Sequence, residues 1–315
     1  MMINVLWIDD EHESLASIKM PAKVNEVNLV PFKSLKGGLE ELEKNYSRYD
    51  GVLLDAKILE DENDVSGTEN VRYVHEARNR IHALATHKKF EVFVLTGQAE
   101  LFDDHGAFAM AFGDDESKRR VFKKGSTEEL ELLFKSIRKV ALEQADTQLK
   151  FEYKEVFALC TDEYIGSRAC DNILTILKNM DKPIINEMFN LIRKVVEDLF
   201  RAYNIRGLLP DQFVGTSISL SKSSKFLAGK HVVDGYRHKE ETHLNHQIAS
   251  NLKNILFVTQ DGSHRGEVDK LVESMGTPYL IMSVFYQLLD VLIWSKHHFD
   301  SAPLTNNWEK LHIDN

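Results

Sequence analysis

Asp50-Gly51-Val52-Leu53-Leu54-Asp55 is a short apolar run closed by a carboxylate. Such a run suits a strand covered on both faces of a parallel sheet, and its C-terminal end opens on the crevice where α/β sheets bind ligands. An aspartate there also serves as an ordinary helix cap or turn residue, so the neighbouring strands decide the reading. Upstream, Ile3-Asn4-Val5-Leu6-Trp7-Ile8 predicts a strand ending in Asp9-Asp10-Glu11. Downstream, Phe90 to Leu95 runs into Thr96-Gly97, and Arg120-Val121-Phe122 runs into Lys123-Lys124. Four strand ends thus present an acid pair, an acid, a hydroxyl and a lysine.

The segments between them alternate. Glu11 to Lys19 predicts a first helix, Val27 to Pro31 a short strand, and Leu39 to Glu43, after Ser34-Leu35-Lys36-Gly37-Gly38, a second helix. Ser126-Thr127-Glu128-Glu129 is a capping signature for a helix through Leu130, Leu133, Ile137 and Val140. Alternation of this kind predicts an α/β fold, a doubly wound parallel five-stranded sheet over residues 1–145. Glu143 to Gln148 marks the boundary. It holds no glycine or proline, so one continuous helix into residues 146–315 is compatible with it.

At 315 residues, the chain has room for two cored domains, and 43% apolar with 28% charged residues is an ordinary globular composition. Met1-Met2-Ile3 enters a strand without a basic leader, and Tyr279 to Trp294 is too short to span a bilayer, which predicts a cytoplasmic protein without membrane contact. Cys160 and Cys170 suit neither a disulfide framework nor a zinc site. The net charge of −10 is uneven: residues 1–146 hold 20 basic and 28 acidic side chains, the remainder 19 and 21. An acidic first half suits a cation pocket, and a nearly neutral second half without a recognisable DNA-binding motif argues against DNA.

The order of the four strand ends resembles the receiver domain of two-component response regulators, a flavodoxin-like fold, over about the first 145 residues. The resemblance implies Asp55 as phosphoacceptor, Thr96 and Lys124 as groups that bind the phosphoryl oxygens, and Mg²⁺ held by Asp9, Asp10, Asp55 and the backbone carbonyl of Lys57. It further implies a sensor histidine kinase or phosphotransfer protein as partner. The chemistry is coherent: a carboxylate attacks phosphorus only if charge building on the equatorial oxygens is neutralised, and Mg²⁺ takes oxygen ligands. A purely structural acid cluster balanced by a lysine is the competing account of the same residues.

The chain departs from that family at several points. Leu59 stands where a proline is usual, and Glu60-Asp61-Glu62-Asn63-Asp64 delays the next glycine to Gly67; this acidic insertion suits a solvated loop, or else gathers cations or a partner. Gly125 stands where a proline usually follows the lysine, so the preceding peptide is either trans or held cis by its surroundings. Val121 occupies the usual place of the switching aromatic, while Phe122 points to the other side of the strand. Gln98 to Lys118 is longer and more acidic than the corresponding segment of the family.

The second half follows a helical period. Asp181-Lys182-Pro183 caps a helix striped by Ile185, Met188, Ile192, Val195, Val196, Leu199 and Tyr203. Glu240 to Val258 predicts a second helix, and Thr277-Pro278 caps a third, Tyr279 to Lys296, apolar nearly all round and hence central. Four to six helices in an all-α bundle are expected. Ser217 to Ser224 suits a loop or edge strand, and His297 and His298 a helix C-terminus where cations favour the dipole. His243 and His246, three apart, with His231 and His238 nearby, lack the carboxylate or cysteine of a clear metal site.

Ile192 to Glu197, Gly262-Ser263-His264 and the helix closing on Trp294 show a weaker resemblance, to the HEPN group of helical bundles, many of which are ribonucleases. That resemblance implies an arginine placed shortly before a histidine. Here the only close spacing, Arg237 to His243, does not converge on Gly262-Ser263-His264, and Arg265 follows His264 rather than preceding it. The favoured expectation is a response regulator whose helical domain binds a partner or forms a homodimer. A phosphorylation-gated ribonuclease, the one reading that brings in RNA, and a pseudo-receiver used only for protein contacts are the alternatives.

Overall fold

A computed structural model describes residues 2–64, 70–84, 88–98, 107–113, 118–180, 182, 187–240, 243–262, 274, 276–301 and 306–311. The chain divides into two compact units, residues 1–152 and 153–315.

In the first unit, β1 (Ile3–Ile8), β2 (Val27–Phe32), β3 (Gly51–Asp55), β4 (Val92–Thr96) and β5 (Val121–Lys123) form one sheet in the order β2-β1-β3-β4-β5. Every pairing is parallel. α1 (Ala16–Val24) and α5 (Thr127–Leu142) cover one face; α2 (Leu35–Lys44), α3 (Val71–Ala83) and α4 (Ala107–Ala111) belong to the other. Side-chain alternation builds both cores from the same strands. Trp7, Leu53, Phe93 and Phe122 point to the α1/α5 side, and Leu6, Val52, Val94 and Val121 to the α2/α3 side. This is the doubly wound, flavodoxin-like fold expected, and its strand order reverses between β1 and β3.

Local departures have local causes. α1 begins at Ala16 rather than Glu11, because the Asp9 carboxylate and carbonyl take the N–H groups of Glu11 and His12 and hold residues 10–14 in turns. Ser126 caps α5 as expected, its Oγ accepting from Glu129 N at 3.3 Å. Its partner in the cap is diverted, since Glu129 pairs with Arg119 and accepts from Lys123 N. The acidic insertion is pinned to the surface by Lys36, 2.9 Å from Asp61, and by Lys33, whose Nζ donates to the Glu62 carbonyl. Gly67 and most of Gln98 to Lys118 lie outside the described residues.

Residues 143–148 do not continue α5. A separate helix, α6 (Ala145–Glu152), begins after a break at 143–144 and belongs to the first unit. A buried polar cluster holds it there. Lys150 Nζ stands 2.9 Å from Asp50 Oδ1, Thr147 Oγ1 donates to the same oxygen at 3.1 Å, and Gln144 Nε2 donates to the Asp50 carbonyl. Lys88 Nζ lies 3.9 Å from that carboxylate and donates to Tyr49 O, while Asp50 Oδ2 accepts from Asn4 N. Asp50, Thr147, Lys150 and Lys88 are all buried.

The second unit contains α7 (Lys154–Phe157), α8 (Gly166–Leu177), α9 (Glu187–Ile205), α10 (Asp211–Val214), α11 (Leu220–Leu227), α12 (His246–Gly262) and α13 (Tyr279–Ser301). α9 packs against α8, α12 and α13, and its predicted stripe from Met188 to Tyr203 is buried. Asp181, Pro183 and Ile185 lie outside the described residues. α9 takes the central place expected of α13, which leaves Tyr279 and Tyr286 on an open face. Residues 220–227 form a helix rather than a loop or edge strand, because Ser223, Phe226 and Leu227 recur at helical spacing and are buried together.

α12 starts at His246 rather than Glu240. The preceding chain forms a short strand instead: β6 (Tyr236–His238) pairs antiparallel with β7 (Trp308–Lys310), a ribbon added to the expected helical region. His298, in the last turn of α13, is packed rather than free at the helix end. Its ring stacks on Trp294, with centroids 4.9 Å apart, and burial lowers its pKa.

Two measurements test these packings. Asp50→Ala leaves two ammoniums buried without their carboxylate, and is expected to cost the first unit about 3–5 kcal/mol in urea unfolding. In the second unit, burial pushes the Asp198 carboxyl up to about 6, against the charges of Arg168 and Arg201. The unfolded value is about 3.9, so the folded form binds the extra proton between the two and stability falls as pH rises through that window. Asp198→Asn is expected to flatten that decline and to raise the thermal midpoint at pH 7, with the two proteins converging below about pH 4.

Candidate functional site

The parallel register brings the predicted residues to one rim. Ile8 is paired with Leu54, so Asp9 falls beside Asp55 at the ends of β1 and β3. On the other side Asp55 is paired with Leu95, one residue short of Thr96, and Thr96 is paired with Lys123, one short of Lys124. Asp9, Asp55, Thr96 and Lys124 therefore sit at strand C-termini or one residue beyond them, and Asp10 two residues beyond β1. The rim includes the β1/β3 reversal point, where sheets of this class open a crevice.

Lys124 binds the cluster together. Its Nζ donates to Asp55 Oδ2 at 2.6 Å and lies 2.9 Å from Asp9 Oδ2 in an ion pair. Asp9 and Thr96 are fully buried and Asp55 is 9% exposed. Asp55 Oδ1 accepts from Ala56 N at 2.6 Å, and Asp9 Oδ1 from Glu11 N at 3.0 Å. Thr96 Oγ1 accepts from Gln98 N at 3.0 Å, which leaves the hydroxyl hydrogen to donate elsewhere. Lys57 lies half-buried in the bend after β3.

Burial raises the Asp55 pKa to about 6, and the Asp9 charge adds to the rise. Lys124 opposes both without cancelling them. The carboxyl is nonetheless ionised at neutral pH, the form in which it is nucleophilic. Burial works against the Lys124 ammonium, but the Asp55 and Asp9 charges outweigh it and hold its pKa above the ordinary lysine value.

The donor set suits a hard divalent cation. Asp9, Asp10 and Asp55 each offer a carboxylate oxygen, and these oxygens lie within 4.8 Å of one another. Asp9 Oδ2 is buried and, beyond its ion pair, has no hydrogen bond. An acceptor-only oxygen in that position is what an oxygen-seeking ion takes.

Gly125 adopts φ +93°, and no peptide bond among the described residues is cis, so the turn after Lys124 is made by a left-handed glycine on a trans peptide. Phe122 is buried in the α1/α5 core beneath the Arg119 guanidinium, 4.6 Å from its ring, whereas Val121 faces the opposite core.

Among the described residues, the other candidate groups do not assemble into a second site of this kind. Among the described residues, only the three aspartates form a cluster with metal-ligand spacing. His238 Nε2 lies 2.8 Å from the Phe226 carbonyl, His243 packs against Gly229, and Arg237 pairs with Glu309 across the ribbon. Ser263, His264 and Arg265 lie outside the described residues. Sequence reasoning missed the supporting contacts of Ala56, Gln98 and Glu11, which are backbone donors and leave no side-chain signature.

Strand order, two covered faces and an acid-rich rim place the first unit in the flavodoxin-like class of doubly wound folds, with an acid and lysine site at the strand ends. No family model matches the sequence, and no curated protein matches it. Among solved structures, a crystal structure described as a response regulator receiver domain protein from Clostridium thermocellum is 22% identical, over 45% of this chain and 100% of that one, with a TM-score of 0.33. No helix among the described residues is long and apolar enough to cross a membrane.

One expectation follows from the crowding of carboxylates. Mg²⁺ is expected to raise the thermal midpoint of the protein by mass action on the folded state. Asp10→Asn is expected to raise the midpoint measured with a chelator, by relieving like-charge repulsion, and to remove most of the Mg²⁺ increment.

Proposed function

We propose that the first unit is a phosphoacceptor receiver in which Asp55 takes a phosphoryl group from a sensor histidine kinase or phosphotransfer protein. The contact of Lys124 with both Asp55 and Asp9, in a buried rim at the strand ends, is the observation that carries this reading. One Asp55 oxygen forms the new bond to phosphorus as the donor's P–N bond breaks and its imidazole leaves. Lys124 and the Thr96 hydroxyl then meet the phosphoryl oxygens, the first as a charge and the second as a neutral donor. Asp9, Asp10, Asp55 and the Lys57 carbonyl would hold Mg²⁺, which supplies neutralisation of the charge spread over the phosphoryl oxygens.

Phosphorylation replaces a carboxylate bonded to Lys124 by a dianionic group with more oxygens, so the Lys124 and Thr96 contacts are remade. The helical second unit, from residue 153, is the output in this reading rather than the region after residue 145, acting by protein contact or homodimerisation in the cytoplasm rather than by binding DNA. Phe122 is locked in the α1/α5 core on the side away from Val121, so an aromatic swing at β5 is not part of the proposal.

Incubation with acetyl phosphate and Mg²⁺ tests it directly. Intact-mass analysis is expected to show one phosphoryl increment, located at Asp55 by borohydride trapping. The increment should vanish in Asp55→Asn or with excess chelator, and Lys124→Ala should slow it by about tenfold or more. A protein that stays unmodified, or is modified equally after Asp55→Asn, refutes the assignment.

A further inference from the structure

A groove of about 620 Å³ lies between α11 and α12 of the second unit, with residues 228–230 and 243–244 along its edge. Its volume falls in the roughly 300–1,000 Å³ range of small-ligand sites. The charged side chains among the described lining residues are of one sign. Lys225 on α11, Lys253 on α12 and Lys230 in the turn after α11 all face it, and among the described residues no carboxylate lines it. None of the three lysines makes an ion pair among the described residues.

The walls are fixed. Leu244 N donates to Leu227 O at 2.8 Å, tying the segment before α12 to the end of α11. Gly229 has φ +77°, and a Cβ there would stand 2.8 Å from Cγ of His243, so the imidazole is seated against bare backbone. Beside the cations lies apolar surface: Leu244 and Leu256, both buried, and the Phe257 side chain, which is 72% exposed. The first turn of α12, from His246 to Ser250, borders the same space and adds the positive end of its dipole.

We propose that this groove binds a small organic polyphosphate bearing a flat apolar group, with a nucleoside polyphosphate as the fitting class. The phosphates lie among Lys225, Lys230 and Lys253, where compact ammonium charges meet phosphate oxygens. The ring system lies against Phe257, since an exposed aromatic beside cations is a stacking surface for a base. This reading of the groove does not rest on the role proposed for Asp55.

Calorimetric titration of the full chain without Mg²⁺, at low salt, tests the proposal with three probes: ATP, inorganic tripolyphosphate and a short oligoribonucleotide lacking a terminal phosphate. ATP is expected to saturate one site per chain. Lys225→Gln combined with Lys253→Gln should weaken it by about tenfold or more. Phe257→Ser should weaken ATP several-fold while leaving tripolyphosphate unchanged. All three positions are exposed, and an unaltered thermal midpoint confirms that the variants fold. No binding of ATP at millimolar concentration overturns the proposal, as does equal affinity in the double lysine variant. Tighter binding of the unphosphorylated oligoribonucleotide than of ATP also overturns it, in favour of an extended nucleic-acid surface.

Discussion

One ammonium at the end of β5 governs the first unit. Lys124 stands within 2.9 Å of two carboxylates that belong to different strands, one of them fully buried. Without such a cation, Asp9 and Asp55 would be two like charges brought together in a low-dielectric rim, which is strongly unfavourable. The sheet order makes the arrangement available: with β3 between β1 and β4 and β5 beyond, the residues after β1, β3 and β5 converge on one crevice. The lysine does not fully neutralise that crevice. The Asp55 carboxyl still has its pKa raised, because burial and the Asp9 charge together exceed the attraction of Lys124.

Much of this was legible in the sequence because it is written locally. A strand covered on both faces shows as a short apolar run, and the residue that follows it is the residue placed at the rim; Asp9, Asp55, Thr96 and Lys124 are all found that way. The flavodoxin-like order and the helical character of the second half follow from the same kind of pattern. What escaped is long-range. Nothing near Asp50 in the chain announces that Lys88 and Lys150 will close on it, 38 and 100 residues later. The β6/β7 ribbon joins residues 72 apart through three-residue strands too short to show a period. Of residues 217–224, the first three are a loop as expected, but 220–224 misled for a different reason: serine's turn preference masked an apolar spacing carried by Leu220, Phe226 and Leu227, and burial overrode propensity.

β3 carries a buried aspartate at each end, and the two ends are satisfied differently. Around Asp50, two lysines, a threonine hydroxyl and a backbone N–H approach a single carboxylate. Around Asp55, three carboxylates gather and Lys124 contacts two of them, with Asp9 Oδ2 held by nothing beyond its ion pair to Lys124 among the described residues. A polar group that is buried and saturated stabilises and holds position, which is how the Asp50 cluster keeps α6 against the first unit. Buried carboxylates in excess are costly, and folded proteins tolerate that cost where an ion or a reacting group completes the set.

The same comparison bears on how a signal could leave the rim. α6 is the last element of the first unit and is gripped at the Asp50 end of β3, whereas the chemistry proposed for Asp55 occurs at the other end of that strand. β3 is fully buried and paired on both sides through most of its length, so it is a rigid connection between the two clusters. Rigid strands do not relay displacement well; bistable packings do. Under the proposed phosphorylation, the segments in direct contact with the reacting rim are the turn at Gly125, which follows Lys124, and the backbone at Gln98, which donates to Thr96, rather than the α6 clip. Gly125 is left-handed, with no described neighbour within 4 Å of a would-be Cβ, and it has the backbone freedom that the proline usual in the resembling family would deny it.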